Sequence, residues 1–107
     1  MELIVADRDA RVVVTVCEKR IDAAIATRFK DRMREIILRN HKPVLVHMQS
    51  VDFMDSSGLG AMIAVRKAMP DGLGFTLCGL TQNVERVFRL TRMDAVFDIQ
   101  PGGEYQE

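Results

Sequence analysis

Apolar positions along the chain alternate between short unbroken runs and longer spaced series. Leu3 to Ala6 and Val12 to Val16 are short runs rich in β-branched residues, separated by the polar Asp7-Arg8-Asp9-Ala10. Two such runs about a polar turn predict a hairpin of two strands. From Ala23 to Arg39 the pattern changes: Ile25, Phe29, Met33 and Ile36 recur at spacings of four, four and three. That is the stripe of an amphipathic helix, with Asp22 before it as the expected N-cap. After Asn40 and Pro43, Val44-Leu45-Val46-His47-Met48 is apolar without alternation, which predicts a central strand covered on one or both faces. Leu59, Met62, Ile63 and Arg66 resume helical spacing until Pro70, and Asp71-Gly72 turns the chain into a strand at Phe75 to Cys78. Thr81 is placed to cap a third helix carrying Val84, Val87 and Phe88 on one face. Val96 to Ile99 reads as a last short strand.

The predicted order is therefore β-β-α-β-α-β-α-β. Strands alternating with helices imply a small α/β fold with a mixed, largely parallel sheet and helices packed against it, the opening hairpin adding an antiparallel edge. Phe29, Ile36, Val46, Ile63, Leu77 and Phe88 are expected to share its core. No repeat, linker or low-complexity tract divides the chain. A single domain is expected over residues 1–100, followed by a short C-terminal tail at 101–107.

Composition narrows the function. A chain of 107 residues is long enough for one ordinary core. With 48% hydrophobic residues, and 15 basic side chains balanced by 15 acidic ones, it has neither the composition of a disordered chain nor a net field for nucleic acid. No apolar run approaches the roughly 20 residues of a membrane helix, and MELIVADRDA lacks a basic region followed by a long apolar one. A cytoplasmic protein without membrane insertion is expected. Cys17 and Cys78 are far apart, with no CxxC and no clustered histidine, so neither a disulfide frame nor a metal site is indicated. Both are expected as small buried hydrophobes. Met33, Met48, Met54, Met62, Met69 and Met93 suit gap-filling in a core, with Met54 and Met62 the best placed to offer an adaptable docking surface. Arg28, Arg32 and Arg39, interspersed with Asp31 and Glu35, read as a solvated helix face.

One stretch stands out. Val51-Asp52-Phe53-Met54-Asp55-Ser56-Ser57-Gly58-Leu59-Gly60 sits between the central strand and a helix, where α/β proteins place their sites. A catalytic serine would need a base, yet the histidines are His41, in a turn, and His47, inside the strand, and no G-x-S-x-G elbow occurs. The dinucleotide fingerprint fails because Ile63 stands where a third glycine is needed, and no Gly-Lys-Ser/Thr phosphate loop is present. By local chemistry alone, Asp55 or Ser56 caps the helix and the glycines permit close packing or a tight turn.

Phe53 to Gly60 resembles the phosphorylation motif of the bacterial anti-sigma factor antagonists, the STAS domain family. Ile21-Asp22-Ala23-Ala24 is similar to that family's Leu-Asp segment, and Asn83 to Phe88 to its third-helix pattern, so that the resemblance spans about residues 3–99. It implies a protein that is not an enzyme and needs no cofactor. Unmodified, it binds an anti-sigma factor with serine kinase activity and so releases a sigma factor; phosphorylation of Ser56 switches the binding off, and a serine phosphatase restores it. The implied partner-binding residues are Asp22, Ala23, Met54, Asp55, Ser57, Gly58, Leu59 and Met62, and the free protein is expected to be a monomer. The alternative within the family is a subunit of a lipid-transport ATPase or stressosome-like complex that does not switch. Lys19-Arg20 stand where the family commonly has Gly-Glu, and Ile25 where Thr is frequent, which implies a different partner preference. Pro101-Gly102-Gly103 curtails the family's last helix, and the tail beyond is expected to be disordered.

Overall fold

A computed structural model of the chain describes residues 1–101. All of the expected tail but Pro101 lies outside the described residues. The main sheet holds five strands: β1 (Leu3–Asp7), β2 (Val12–Val16), β4 (Val44–His47), β6 (Phe75–Cys78) and β7 (Asp98–Gln100), in the order β1-β2-β4-β6-β7. β1 pairs antiparallel with β2, and every other pairing is parallel. This is the mixed, largely parallel sheet read from the pattern. A second, two-stranded sheet pairs β3 (Arg20–Ile21) with β5 (Phe53–Met54) in parallel; strands this short have no period to read, and the sequence did not reveal them. The helices are α1 (Ala26–Asn40), α2 (Ser56–Lys67) and α3 (Gln82–Leu90).

Alternation along each strand sorts the side chains into two clusters. Val12, Val14, Val16, Val44, Val46, Phe75 and Leu77 face the helices and pack with Phe29, Met33, Ile36, Met62 and Phe88. Val13, Leu45 and Cys78 form a smaller cluster on the opposite face. The central β4 is thus buried on both sides, which explains why its residues show no polar alternation. Of the expected core, Phe29, Ile36, Val46, Leu77 and Phe88 are buried, and Ile63 packs partly buried against them. Cys78 is buried, whereas Cys17, one residue past the end of β2, is half-exposed.

Two boundaries differ from the sequence reading. Helix α1 begins at Ala26, because residues 22–25 form a turn first: the Asp22 carbonyl accepts from Ile25 N (3.1 Å) and Ala26 N (2.8 Å). Ile25 occupies the N-cap position without a side-chain hydrogen bond, so Asp22 is not the cap. At the other end of the chain, a 3-10 turn at Met93–Ala95 leaves Val96 helical and exposed, so β7 starts at Asp98. Between them Phe97 enters the core, its ring 5.3 Å from that of Phe88 in an edge-on contact. Thr81 caps α3 as expected; its hydroxyl accepts from Val84 N at 3.5 Å and donates to the Val51 carbonyl at 2.7 Å.

Candidate functional site

The conspicuous stretch folds as a strand, a cap and a helix start. Asp52 N and Phe53 N both donate to the Lys19 carbonyl, at 2.7 and 3.2 Å, and begin the short parallel pairing that sets Arg20 beside Phe53 and Ile21 beside Met54. Alternation then turns Ile21 and Met54 inward and Arg20 and Phe53 outward. The Arg20 guanidinium lies over the Phe53 ring, 4.6 Å from its centroid, and its Nε reaches Asp22 Oδ2 at 3.3 Å. Phe53 remains 41% exposed, a large apolar surface to leave in water. This Arg20 and Phe53 ledge was not anticipated; its signal was two residues of outward alternation, too short to separate from chance.

Asp55 is the N-cap of α2. Its Oδ1 accepts from Gly58 N at 2.9 Å, and its Oδ2 accepts from Ala23 N at 3.1 Å. One carboxylate therefore fastens the start of α2 to the turn that leads into α1. Asp22 orders that same turn from within, its Oδ1 accepting from Ala24 N at 3.1 Å. The Gly58 amide above all holds the Asp55 carboxyl below the usual carboxylate range; desolvation opposes this, and the Ala23 and Ser57 amides add to it.

Gly58 has a specific steric reason. A Cβ there would stand 1.9 Å from the Ile21 carbonyl oxygen and 2.8 Å from its carbon, so α2 rests directly on the backbone of β3. Apart from its chain neighbours and its own helix backbone, no atom lies within 4 Å of the corresponding position on Gly60.

Ser56 is the first residue of α2 and is exposed, as is Ser57. Because Asp55 does the capping, the Ser56 hydroxyl stands outside the cap. Asp22, Ala23, Asp55, Ser56 and Ser57 come together at the surface. Met54 and Met62, expected on a docking surface, are instead 3% and 0% exposed and belong to the core. Met54 takes the inward position of β5, and Met62 lies on the inward stripe of α2 with Leu59 and Val65. Gly58 and Leu59 are likewise buried, and they support the surface from beneath. Beside Ser57, a shallow groove of about 240 Å³ runs between α1 and α2, lined by Thr27, Lys30, Gly60, Ala61 and Ala64.

The histidines lie elsewhere in the architecture. His47 Nδ1 is 3.4 Å from Cys78 Sγ at paired positions of β4 and β6, and His41 forms the left-handed C-cap of α1. Among the described residues no group of three or more His, Cys, Asp or Glu side chains is arranged to hold a metal ion, and no helix is long and apolar enough to cross a membrane.

Comparison with known proteins places this arrangement in context. The family model described as STAS domain matches residues 4–103. A Thermotoga maritima protein assigned as an anti-sigma factor antagonist is 25% identical, with a TM-score of 0.76 over 91% of this chain and 84% of that one. An anti-sigma factor antagonist from Mycobacterium paratuberculosis is 23% identical, with a TM-score of 0.85 over 96% and 87%. The phosphorylated form of the Bacillus cell fate determinant SpoIIAA is 14% identical, with a TM-score of 0.70 over 96% and 93%. Each likeness covers more than nine-tenths of this chain.

Proposed function

The chain belongs to the STAS domain family, and on that premise we propose that it is an anti-sigma factor antagonist switched by phosphorylation of Ser56. In the unmodified state it binds an anti-sigma factor that is also a serine kinase, and a sigma factor is released. ATP and its metal belong to that kinase; a serine phosphatase resets the switch. The protein itself acts by binding, in the cytoplasm, without a cofactor.

The observation that carries this reading is the exposure of Ser56 at the first position of α2, beside a cap already supplied by Asp55. A hydroxyl so placed can enter another protein's active site without any rearrangement of the fold. Phosphorylation would add about −1.5 to −2 charge and three acceptor oxygens. At an exposed helix N-terminus the dipole favours such a group by about 0.3 to 1 kcal/mol, while the adjacent Asp55 carboxylate, held in its charged form, opposes it. The two effects offset each other, and the fold is preserved. A bound interface is more sensitive. A doubly charged group pressed against a surface shaped for a hydroxyl must be desolvated, and an uncompensated buried charge costs several kcal/mol.

Incubation with the cognate kinase and ATP, followed by mapping of the phosphate by mass spectrometry, tests the reading. Label is expected on Ser56. Ser56→Ala should bind the kinase and stay unlabelled, Ser56→Asp should bind weakly, and Ser57→Ala should still be labelled. Phosphate on Ser57, or none on the parent, refutes the assignment.

A further inference from the structure

β1 and β7 form the two edges of the main sheet, and the edges are unlike. β7 has three residues, begins with Asp98 and runs into Pro101, features that discourage a further strand. β1 has five residues, four of them the apolar Leu3-Ile4-Val5-Ala6, with Ile4 55% and Val5 41% exposed. An edge of this length and polarity is a template for another strand.

The ladder to β2 shows which backbone groups are spare. Cys17 N donates to the Glu2 carbonyl at 3.0 Å, and Arg8 N to the Arg11 carbonyl at 2.9 Å. Bonded and non-bonded positions alternate along an antiparallel pair. Glu2, Ile4, Ala6 and Arg8 therefore turn their amides and carbonyls toward β2, and Leu3, Val5 and Asp7 turn theirs outward. The outward set is symmetric about Val5. A second copy laid antiparallel along this edge brings Val5 opposite Val5, and Leu3 opposite Asp7 on either side, every one a bonded position.

The side chains agree with the same register. Ile4 of one copy opposes Ala6 of the other, and on the same face the exposed Glu2 opposes the exposed Arg8. Opposite charges directly across two strands favour pairing. Centring the contact on Leu3 sets Glu2 against Ile4, and centring it on Asp7 sets Arg8 against Ala6; both shorten the overlap. Centres on Ile4 or Ala6 also set outward backbone positions opposite one another, and it is the charges that decide: the Val5 centre alone brings Glu2 opposite Arg8.

We propose that this chain forms a two-fold dimer through β1, centred on Val5, with Glu2 and Arg8 pairing across the interface, in place of the monomer expected from the sequence. The dimer joins two sheets edge to edge and is independent of the reading of Ser56. Light scattering and sedimentation of the full chain from micromolar to millimolar concentration should show a concentration-dependent dimer. Hydrogen exchange should slow at the amides of Leu3, Val5 and Asp7 as dimer forms, while Ile4 and Ala6, bonded to β2 in either state, stay unchanged. Glu2→Arg and Arg8→Glu should each raise the dimer Kd by about tenfold, and the double exchange should restore it to within about twofold. Both residues are exposed, so circular dichroism should report an intact fold throughout. A monomer at every concentration overturns the dimer, as does protection that appears elsewhere, or a double exchange as weak as the single ones.

Discussion

Gly58 and Gly60 stand two residues apart on α2, and replacing each by alanine should change stability in opposite directions. A Cβ on Gly58 would lie 1.9 Å from the Ile21 carbonyl oxygen, where ordinary contact begins at 3.4 Å, so α2 and β3 must part by about 1.5 Å. The obstacle is backbone held in a strand pair, and no flexible side chain can turn away to relieve it. Overpacking of this kind costs typically about 1 to 3 kcal/mol, against a helix-propensity gain of about 0.5 to 1 kcal/mol. A net loss follows, and in a domain of this size each 1 kcal/mol lowers the melting temperature by about 4 to 8 °C. A separation of that size also exceeds what the Asp55 to Ala23 hydrogen bond, already 3.1 Å, can absorb. The Ala23 amide should therefore exchange faster with solvent in Gly58→Ala. At Gly60 nothing beyond its chain neighbours and its own helix backbone lies within 4 Å, so the alanine keeps the propensity gain and should raise the melting temperature by a few degrees. Thermal and urea denaturation of the two variants, with amide exchange at Ala23, decide the matter. A Gly58→Ala protein at least as stable as the parent, with Ala23 still protected, would refute the contact between helix and strand.

Three further outcomes are expected. Leu77→Ala should lose about 2 to 5 kcal/mol in chemical denaturation, since Leu77 is fully buried between the sheet and the helices; a midpoint within error of the parent would show that β6 is not packed as described. Asp22→Asn keeps an oxygen for the Ala24 amide but loses the charge facing Arg20, so its melting temperature should barely move while its affinity for the cognate kinase falls; unchanged affinity would leave Asp22 a turn residue alone. Asp55 has a folded-state pKa below its unfolded one, so its contribution to stability is full above the unfolded carboxylate range and is lost as pH falls through the folded pKa. Stability of the parent should therefore decline more steeply on acidification than that of Asp55→Asn, and parallel pH profiles would remove Asp55 from its clamping role.

Periodicity determined most of this protein's elements, because each is a local consequence of which residues must leave water. The stripe at Phe29, Met33 and Ile36, the unbroken run at β4, and the Thr81 cap all lie within reach of a few neighbouring residues, and all are found where the pattern sets them. The helix start after Met54 was legible for the same reason, with Asp55 or Ser56 as its cap, whereas the motif at Phe53 to Gly60 was legible only as a family resemblance. Other features depended on contacts between residues distant along the chain. The pairing of Arg20–Ile21 with Phe53–Met54 joins segments about thirty residues apart, and each is too short to show an alternation. Asp22 reads as a cap until the main chain is seen to form a turn first, and Asp55 reads as one of two candidate caps until Gly58 is seen on one of its oxygens and Ala23 on the other. Met54 and Met62 could be assigned inward only once β5 and α2 had fixed orientations against the sheet. Local patterning sets what each segment becomes, because burial and capping act over a turn of helix or a few strand residues. Which segments meet, and so which side chains around Ser56 reach the surface, is settled by packing between elements, where the 1.9 Å beneath Gly58 leaves room for hydrogen alone.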